Sequence, residues 1–377
     1  MIKVLEMIDD ATIGGGQQHL LWLAESLDGS RFEVAVACEG RGYLVDELNK
    51  RGIPVYALSI ANRLSFRSLA QCWRLMKLLA PDVLHTHGGT AGFYGRLISR
   101  ITPVRAVVHT YHGLHYLHSD SRAKKLLHRF VDHVLLRFTD RIICVSEGDF
   151  DLGVRWGIVN PTAAMVIRNG IDIARYSRYA YPETSTQRRN ARIGQTIVGT
   201  IGRLHVQKGQ IYLLEAARLV LNKYPSTIFQ IIGTGELERQ LKEKAIELGI
   251  ADHVQFLGAR TDVPDLLAAM DLFVLPSLWE GQPITLMEAM ASCTPIIATD
   301  IDGISEMIEP SRDGLLVPAG NASDLADAIA LLLSDSSLAQ KLSQHAFDKV
   351  VREFDIRKMV RLTEETYTSL VAHSRVQ

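Results

Sequence analysis

Short apolar runs alternate with amphipathic segments of helix length along almost the whole chain. In the first half, the runs short enough for buried strands are residues 2–8, 33–37, 55–58, 83–86, 106–110, 142–145 and 164–167. A second series lies at residues 196–201, 228–232, 254–256, 272–275, 295–298 and 315–317. Apolar strands separated by helices are typical of parallel sheets covered on both faces. The pattern therefore predicts the α/β class, with two doubly wound domains.

Residues 176–195 interrupt this pattern. The segment is rich in Tyr, Arg and Thr, contains Pro182 and has no hydrophobic period, as is typical of a linker. We therefore predict an N-terminal domain at 1–175, a linker at 176–195 and a C-terminal domain at 196–356, which suits a chain of 377 residues. Ligands of doubly wound sheets bind at the carboxyl ends of the strands, so we expect the site in the cleft between the domains.

The composition and the first residues of the chain bear on where in the cell the protein is located. Hydrophobic residues make up 47% of the chain, yet no apolar run approaches the roughly 18 residues of a membrane span. The apolar start, residues 1–8, is too short for a signal sequence and runs into Asp9 and Asp10, so we expect a cytoplasmic protein. No paired metal spacing is seen among the cysteines, which we expect to be reduced core thiols: Cys38, Cys72, Cys144 and Cys293.

The net charge of −1 conceals an asymmetry between the two halves. Residues 1–175 carry 21 Lys and Arg against 17 Asp and Glu, whereas the rest of the chain carries 20 against 25. Nine of the 13 His also lie in the first part. The N-terminal half is thus the better candidate for an anionic surface or ligand. Because the excess is small and no aromatic-basic motif accompanies it, we expect no nucleic-acid partner.

Two glutamates, Glu280 and Glu288, flank the predicted start of a helix. The apolar run 268–277 precedes them, and Pro283 suits the first turn of a helix because its missing N–H would have no partner there. Glu280 would then lie in a strand-to-helix loop and Glu288 inside the helix, beside an N-terminus that attracts anions. Acceptors for sugar hydroxyls next to a cradle for phosphate suit a sugar nucleotide.

This motif, Glu280-Gly281-Gln282-Pro283-Ile284 followed by Glu288-Ala289-Met290, resembles the signature of the retaining glycosyltransferases of family GT4, which have the GT-B fold. Gln282 stands where that family more usually has an apolar residue. The resemblance implies two Rossmann-like domains and a C-terminal helix, about 357–377, that crosses back to the first domain. It implies that Glu280 holds hydroxyls of the transferred sugar and Glu288 the nucleotide ribose. Further donor-binding residues would be Gly281, Gln282, Pro283 and Ile284.

A basic segment bounded by glycines, residues 202–209, follows the first strand of the second domain. Arg203 and Lys208 would emerge at the strand end, where two fixed cations can neutralise a diphosphate leaving group. The segment resembles the Gly-Arg-Leu…Lys-Gly element of the family. The alternative is a solvated basic loop.

Gly14, Gly15 and Gly16 follow the first strand. They match a dinucleotide fingerprint only in part, because His19 occupies its third glycine position, and this disfavours a dehydrogenase. The family resemblance implies instead a glycine loop whose backbone approaches the donor phosphates. His19 is a candidate for contact with donor or acceptor, or else a structural histidine at a helix start.

Histidines follow two neighbouring strands. Residues 110–113, Thr-Tyr-His-Gly, resemble the family segment with the active-site histidine, which makes His112 the candidate that hydrogen-bonds the transferred sugar. His85 and His87, at the previous strand end, resemble the acceptor-side segment. Such a cluster could instead bind a metal, but no carboxylate is evident to complete a ligand set, so we expect none.

Asp300 and Asp302 have the spacing of the metal-binding pair of a different glycosyltransferase class, GT-A. Here the pair follows a strand of the second domain and precedes a segment that the GT4 family also has, so we interpret the match as coincidence. Arg203 and Lys208 would make a divalent cation unnecessary, and we expect a metal-independent reaction without a cofactor.

Residues 121–138 predict an amphipathic helix. One stripe carries Leu127, Val131, Val134, Leu135 and Phe138, and the basic residues Arg122, Lys124, Lys125, Arg129 and Arg137 lie elsewhere. The helix either packs on the sheet in the ordinary way or lays a basic face on anionic lipid. The second hypothesis would make the protein peripheral to the inner face of the plasma membrane.

The family resemblance spans nearly the whole chain, with the motifs in family order. It implies a retaining transferase that moves a hexosyl or N-acetylhexosaminyl group from a nucleoside-diphosphate sugar, with UDP favoured, to a hydroxyl acceptor such as a lipid-linked glycan in bacterial surface-polysaccharide assembly. No residue is an evident nucleophile, which favours a front-face mechanism in which the leaving phosphate takes the acceptor proton. A GT-B-like sugar-nucleotide epimerase and a non-catalytic sugar-nucleotide-binding protein are the alternatives.

Overall fold

The computed structural model describes residues 1–60, 65–118, 121–177 and 194–373, which belong to two compact units. The first contains Met1–Gly170 and Ile356–Gln377, and the second contains Ile171–Asp355. The N–H of Ile171 donates to the carbonyl of Phe354 at 2.9 Å, so the chain enters and leaves the second unit at neighbouring positions. The division falls five residues before the predicted end of the first domain, and most of the predicted linker, 178–193, lies outside the described residues.

The first unit is built on a seven-stranded parallel sheet with the order β3-β2-β1-β4-β5-β6-β7. Its strands are β1 Ile2–Ile8, β2 Phe32–Cys38, β3 Val55–Ala57, β4 Val83–His87, β5 Ala106–Tyr111, β6 Arg141–Cys144 and β7 Ala164–Val166. Each lies within one residue of its predicted apolar run. Strand order reverses between β1 and β4, and this is where such sheets open a crevice at their carboxyl ends.

The second unit is built on a six-stranded parallel sheet with the order β10-β9-β8-β11-β12-β13. Its strands are β8 Thr196–Ile201, β9 Thr227–Ile232, β10 Val254–Gly258, β11 Leu272–Leu275, β12 Ile296–Thr299 and β13 Leu315–Val317. They lie within two residues of the predicted runs. The order reverses between β8 and β11, so this sheet also has a crevice at the carboxyl ends of two central strands.

Helices cover the faces of the sheets. In chain order they are α1 Gly15–Ser26, α2 Tyr43–Lys50, α3 Phe66–Leu79, α4 Gly89–Ser99, α5 Arg122–Leu135, α6 Glu147–Arg155, α7 Ala174–Ser177, α8 Gln210–Val220, α9 Glu238–Glu247, α10 Val263–Ala269, α11 Ile284–Ala291, α12 Asp302–Ser305, α13 Ala322–Ser334, α14 Ser336–Glu353 and α15 Ile356–His373. The C-terminal helix α15 belongs to the first unit, where Tyr367 packs in one core with Val4, Leu23 and Val108. Its return agrees with what the family resemblance implied.

Helix α5 differs from its predicted pattern. The helix proper ends at Leu135, and residues 136–138 form a separate 3₁₀ turn. Leu135 is buried as expected, but Leu127 is 59% exposed, so its place on the buried stripe is wrong. Leu126 and Phe130, exposed by 59% and 66%, share the outer surface with Leu127. The 3.6-residue period alone does not show which of two adjacent apolar stripes is buried against the rest of the unit.

Two smaller expectations can be checked directly. The thiols of Cys38, Cys72 and Cys144 form no disulfide and are buried, as predicted. Cys293 forms no disulfide either, but it is only half-buried, and its thiol lies 3.6 Å from Ser343 Oγ. Burial raises the pKa of Cys38 and of Cys72 to about 12, so both stay protonated. Within the described ranges, every helix is too short or too polar to cross a bilayer.

Candidate active site

Two loops of the second unit leave neighbouring strands at the reversal of strand order. The 202–209 loop follows β8, and the 276–283 loop follows β11, which pairs directly with β8. Lys208 Nζ lies 2.5 Å from Glu280 Oε1, although the two residues are 72 positions apart in the chain. The structure thus joins the predicted diphosphate cation and the predicted sugar-binding carboxylate in one ion pair.

Further side chains hold Glu280 in place. The Ser277 hydroxyl donates to Glu280 Oε1 at 2.7 Å, and the Gln207 amide donates to Glu280 Oε2 at 3.3 Å and to the Trp279 carbonyl at 3.0 Å. The Glu280 side chain is only 6% exposed, whereas Arg203, on the same loop as Lys208, is exposed. A fixed carboxylate beside one partly buried and one exposed cation suits a ligand that carries both hydroxyl and phosphate groups.

Two glycines allow these loops to pack backbone against backbone. Gly209 has φ +62°, and a Cβ there would collide with the carbonyl oxygen of Pro276. Gly233, which follows β9, has φ +132°, and a Cβ there would collide with the carbonyl oxygen of Gly202. Only glycine combines these backbone angles with so close an approach. The 202–209 loop therefore lies between the 276–283 loop and a third loop after β9, which the motifs did not point to.

Helix α11 begins at Ile284, and Pro283 is its N-cap rather than a residue of its first turn as predicted. Glu288 lies inside the helix and is buried, and the Tyr176 hydroxyl donates to its Oε1 at 2.6 Å. Burial raises the pKa of Glu288 to about 7, although the hydrogen bond from Tyr176 acts in the opposite direction. Tyr176 was predicted to begin the linker, but it is a buried residue of α7.

The remaining predicted donor residues connect Glu280 to α11. They are Gly281, Gln282, Pro283 and Ile284, and all four are buried. A Cβ at Gly303 of α12 would collide with the carbonyl oxygen of Gly281, so the start of α12 packs on this segment. The Ser305 hydroxyl donates to Asp300 Oδ1 at 2.5 Å, and in the described part of the chain no group of three potential metal ligands includes Asp300 or Asp302.

Buried polar side chains form a hydrogen-bonded network in the first unit. Glu6 on β1 pairs in register with His85 on β4, so both side chains share one face of the sheet. Glu6 Oε2 lies 2.7 Å from His87 Nε2, and the Tyr367 hydroxyl donates to Glu6 Oε1 at 2.7 Å. His85 Nδ1 lies 2.5 Å from the Tyr367 oxygen, and its Nε2 lies 2.7 Å from Thr110 Oγ1. Strands β1, β4 and β5 and helix α15 therefore all contribute to the network.

His112 is the least buried histidine of this network. Its Nε2 lies 2.9 Å from His87 Nδ1. A Cβ at Gly16 would be 3.5 Å from His112 Cδ2, and the His19 ring stands edge-on to the His112 ring with centroids 4.7 Å apart. His19 Nδ1 in turn lies 2.8 Å from Asn169 Oδ1. The structure thus brings the predicted glycine loop, Gly14 to Gly16, next to His19 and His112.

Burial keeps these histidines neutral. It lowers the pKa of His19 to about 3, that of His87 to about 4 and that of His112 well below the usual value, and neighbouring histidines lower each further. Burial alone would raise the pKa of Glu6, but His85 and His87 bring it well below its ordinary value. The network therefore contains the ionised carboxylate of Glu6 together with the neutral imidazoles of His19, His87 and His112.

The predicted acceptor contacts of His85 and His87 need correction. Their side chains are 1% and 0% exposed, so a ligand meets them only through other groups. Burial likewise places His19, at 3% exposed, among the structural members of the network. His112 is the member that a ligand can contact directly.

A metal ion could find ligands in the same network. The nitrogens of His19, His87 and His112 lie within 4.8 Å of one another, as do the ligand atoms of Glu6, His85 and His87. The inference that no carboxylate accompanies the histidines is therefore wrong. Both nitrogens of His87, which belongs to both groups, already make hydrogen bonds, so binding an ion would require breaking one of them.

Glu6 and Tyr367 are the main residues of the network that the motifs did not indicate. Glu6 does carry a sequence signal. The apolar run 2–8 contains two charged residues, Lys3 and Glu6, and strand alternation places Glu6 on the same face as Val4 and Ile8. A charge on a core-facing position requires a buried partner. Tyr367 carries no such signal, because an aromatic residue on a helix stripe is usually core.

Two family models together match most of the chain. The model of the family described as Glycosyltransferase Family 4 matches residues 13–175, and that of Glycosyl transferases group 1 matches residues 183–349. The chain is 28% identical over 380 residues to UDP-Gal:alpha-D-GlcNAc-diphosphoundecaprenol alpha-1,3-galactosyltransferase of Escherichia coli, covering 99% of this chain and 98% of that protein. It is 30% identical to phosphatidyl-myo-inositol mannosyltransferase of Mycobacterium leprae, over 94% of each protein.

Solved structures share the fold. HepE of Anabaena in complex with UDP-glucose matches with a TM-score of 0.86 at 22% identity, covering 98% of this chain and 100% of that chain. WaaG, a glycosyltransferase involved in lipopolysaccharide biosynthesis, matches with a TM-score of 0.78 at 17% identity. The two Rossmann-like domains described above are those of the GT-B fold.

Proposed function

The chain belongs to glycosyltransferase family 4, and we propose that it transfers a hexosyl or N-acetylhexosaminyl group from a UDP-sugar, with retention, to a hydroxyl of a lipid-linked glycan. The observation that carries this proposal is the Lys208–Glu280 pair, because it puts a diphosphate partner next to a sugar-hydroxyl partner. The names of the relatives support the substrates. One names UDP-Gal and a diphosphoundecaprenol acceptor, and the HepE structure contains UDP-glucose. The Escherichia coli and Mycobacterium leprae relatives are named as transferases, which favours transfer over the epimerase alternative.

The predicted catalytic residues and the glycine loop then have roles in transfer. Glu280 holds hydroxyls of the transferred sugar, and Glu288 holds the ribose. Lys208 and Arg203 stabilise the diphosphate as negative charge develops on it, which is where preorganised cations lower a barrier most. His112 hydrogen-bonds the sugar, and the backbone of Gly14 to Gly16 approaches the donor phosphates.

The proposed reaction takes place on one face of the sugar. The bond from the anomeric carbon to the diphosphate breaks, and the acceptor hydroxyl oxygen forms the new bond from the same side. The acceptor proton passes to an oxygen of the leaving diphosphate. No enzyme nucleophile is needed, so the configuration is retained without a covalent intermediate.

A nucleotide screen followed by a transfer assay tests the proposal. At equal concentrations, UDP should raise the melting temperature more than GDP or ADP, because the nucleotide with the lowest Kd stabilises the protein most. A ligand at 100 times its Kd adds about 2.7 kcal/mol of stability. NMR of the product made from the stabilising UDP-sugar and a diphosphopolyprenol-linked acceptor should show the anomeric configuration of the donor. An inverted product would overturn retention, and free sugar epimerised without transfer would favour the epimerase.

Variants of the two cations test their roles. Arg203→Ala and Lys208→Ala should each lower kcat/KM by the equivalent of about 2–4 kcal/mol. Lys242→Ala is the matched control, since Lys242 pairs with Glu238 on an exposed helix face of the same unit at 2.7 Å. If both site variants keep activity within about threefold of the control, a change of less than 1 kcal/mol, these cations have no part in the mechanism.

We also propose that α5 rests on an anionic membrane surface. Its outer surface combines the exposed apolar residues Leu126, Leu127 and Phe130 with the exposed basic residues Arg122 and Lys124. Apolar side chains that enter the interface, flanked by cations that meet anionic headgroups, are typical of helices that lie on membranes. Such binding would bring the protein to a lipid-linked acceptor from the cytoplasmic side.

Co-sedimentation with vesicles tests this second proposal. Wild-type protein should bind anionic vesicles at low salt and lose binding as salt screens charges beyond about 8 Å. Leu126, Leu127 and Phe130 changed together to Ser should abolish binding and leave UDP binding unchanged. Arg129 is left intact, because it donates to the Trp156 carbonyl at 2.8 Å and so supports the fold.

A matched control uses exposed residues of the second unit. Arg239 and Lys242 of α9 changed to Glu alter the net charge without touching α5, and vesicle binding should persist. Wild-type protein that stays in the supernatant at low salt would contradict the membrane proposal and favour a soluble acceptor.

A further inference from the structure

The hydrogen bonds from Glu6 to His112 allow only one placement of protons. An ionised carboxylate only accepts, so the proton on the 2.7 Å bond between His87 Nε2 and Glu6 belongs to His87. A neutral imidazole has one N–H, and His87 Nδ1 must therefore accept. Its partner at 2.9 Å, His112 Nε2, must then donate. Neutral His112 has no second proton, so its Nδ1 is a bare acceptor.

The other partners of Glu6 keep this direction fixed. The Tyr367 hydroxyl donates to Glu6 Oε1 at 2.7 Å, so its oxygen is left to accept from His85 Nδ1 at 2.5 Å. Thr110 completes the branch at His85 Nε2. Both carboxylate oxygens thus receive donors. Burial raises the pKa of Glu6, but His85 and His87 outweigh it and bring the pKa well below its ordinary value, so the carboxylate stays ionised.

The ring of His112 is held as well as its proton. His87 fixes one edge of the ring through the hydrogen bond at 2.9 Å, and the His19 ring stands edge-on to it with centroids 4.7 Å apart. His19 is itself anchored by Asn169 at 2.8 Å. A ring confined in this way cannot exchange its two nitrogens by flipping without breaking the network.

We propose that Glu6 and His87 are positioning residues that lock His112 in the tautomer protonated at Nε2, so that Nδ1 accepts a hydrogen bond from a hydroxyl of the bound sugar. The inference rests on the proposed function only for the identity of that hydroxyl. It assigns the buried His87 a role in transfer although the residue never touches the substrate. It also links α15 to the site. The Tyr367 hydroxyl donates to Glu6, and Glu6 is the first member of the hydrogen-bonded relay that runs through His87 to His112.

NMR of ¹⁵N-histidine-labelled, full-length protein reads the tautomer without any substrate. In the wild type, His112 should show a protonated Nε2 and an unprotonated Nδ1. His87→Leu removes the acceptor, and His112 should then populate both tautomers. His87→Asn places an amide oxygen near the position of His87 Nδ1. This variant should restore part of the His112 population that is protonated at Nε2.

Turnover should follow the tautomer. We expect His87→Leu to lower kcat by about tenfold or more, since a wrong histidine tautomer is costly in catalysis, while the Kd for UDP stays unchanged. His87→Asn should recover part of that loss. His109→Leu is the control, because His109 is as buried as His87 but bonds Thr86 at 2.8 Å, outside the relay. With thermal stability matched, it should leave both tautomer and kcat unchanged.

The outcomes separate the relay from the proposed function. His112 protonated at Nδ1 in the wild type would overturn the relay whatever the activity, and so would stoichiometric zinc in the purified protein, because a metal would displace the proton from His112 Nε2. An unchanged kcat in folded His87→Leu would overturn its positioning role. The expected tautomer in a protein that transfers no sugar would support the relay and overturn the proposed function.

Discussion

At the scale of single residues, Glu288 is a buried carboxyl whose protonation changes near neutral pH. Burial raises its pKa from 4.5 to about 7. Between these values the folded protein holds a proton that the unfolded chain has released. The free energy of unfolding therefore falls as the pH rises through this window, with a contribution from this group on the order of 3 kcal/mol.

Glu288→Gln removes the titration and keeps an oxygen that accepts from Tyr176. In urea unfolding, the stability of the wild type relative to this variant should be greatest below about pH 4.5, decline up to about pH 7 and stay constant above it. Tyr176→Phe removes a hydrogen bond that lowers the pKa and should shift the decline to higher pH. A stability difference that does not depend on pH would contradict the raised pKa.

Residue types in a motif can be predicted from sequence, but their partners often cannot. Glu280, Lys208 and His112 stand in recognisable motifs, whereas the 2.5 Å contact of Lys208 with Glu280 depends on two strands becoming neighbours. The network from Glu6 to His112 joins β1, β4, β5 and α15. Its members are separated by up to 361 positions, so local spacing does not indicate it.

At the scale of elements, α4 and α5 are joined by a buried ion pair. Arg96 of α4 is fully buried, its Nη2 lies 2.9 Å from Asp132 Oδ1, and its Nε donates to the Gly92 carbonyl at 2.9 Å. Removing one partner of a buried pair leaves an uncompensated charge, which is far more costly than losing a surface pair. This pair therefore fixes how α5 lies against α4.

Asp132→Asn should lower the free energy of unfolding by roughly 3 kcal/mol or more, measured by urea denaturation. Glu365→Gln is the control, because Glu365 and Arg361 form a pair of similar length, 2.9 Å, with both side chains more than half exposed. That control should change stability by less than about 1 kcal/mol. Equal losses in the two variants would show that Arg96 is compensated by other groups.

The elements differ in how well sequence predicts them. Strands of both sheets appear within two residues of their apolar runs, because a strand buried on both faces must be apolar throughout. Helix α5 exists as predicted, but Leu127 lies on its exposed surface. An amphipathic helix has a periodic pattern whichever of its stripes is buried. Tertiary contacts such as that of Asp132 with Arg96 decide which stripe of α5 faces the rest of the unit.

At the scale of the whole molecule, the two units carry different parts of the proposed chemistry. The second unit supplies the cations and carboxylates expected for the donor, and the first supplies a buried histidine network beside a glycine loop. The repeated α/β pattern predicted both sheets. The order of the strands, which places these loops at the two reversals of strand order, results from pairing between distant segments. The repeated pattern does not indicate it, and only the resemblance to a known family does.

Metal independence is a prediction that concerns both units. In the second unit we propose that Arg203 and Lys208 provide the positive charge that a divalent ion would otherwise bring to the diphosphate. In the first unit both nitrogens of His87 are engaged in hydrogen bonds. We therefore expect EDTA treatment followed by gel filtration to leave kcat and KM essentially unchanged. Asp300→Ala should act only through folding, because Asp300 accepts from Ser305 within a turn. Activity that disappears in EDTA and returns with Mg²⁺ or Mn²⁺ would contradict the roles assigned to the two cations, and activity that returns only with Zn²⁺ would implicate the histidine network instead.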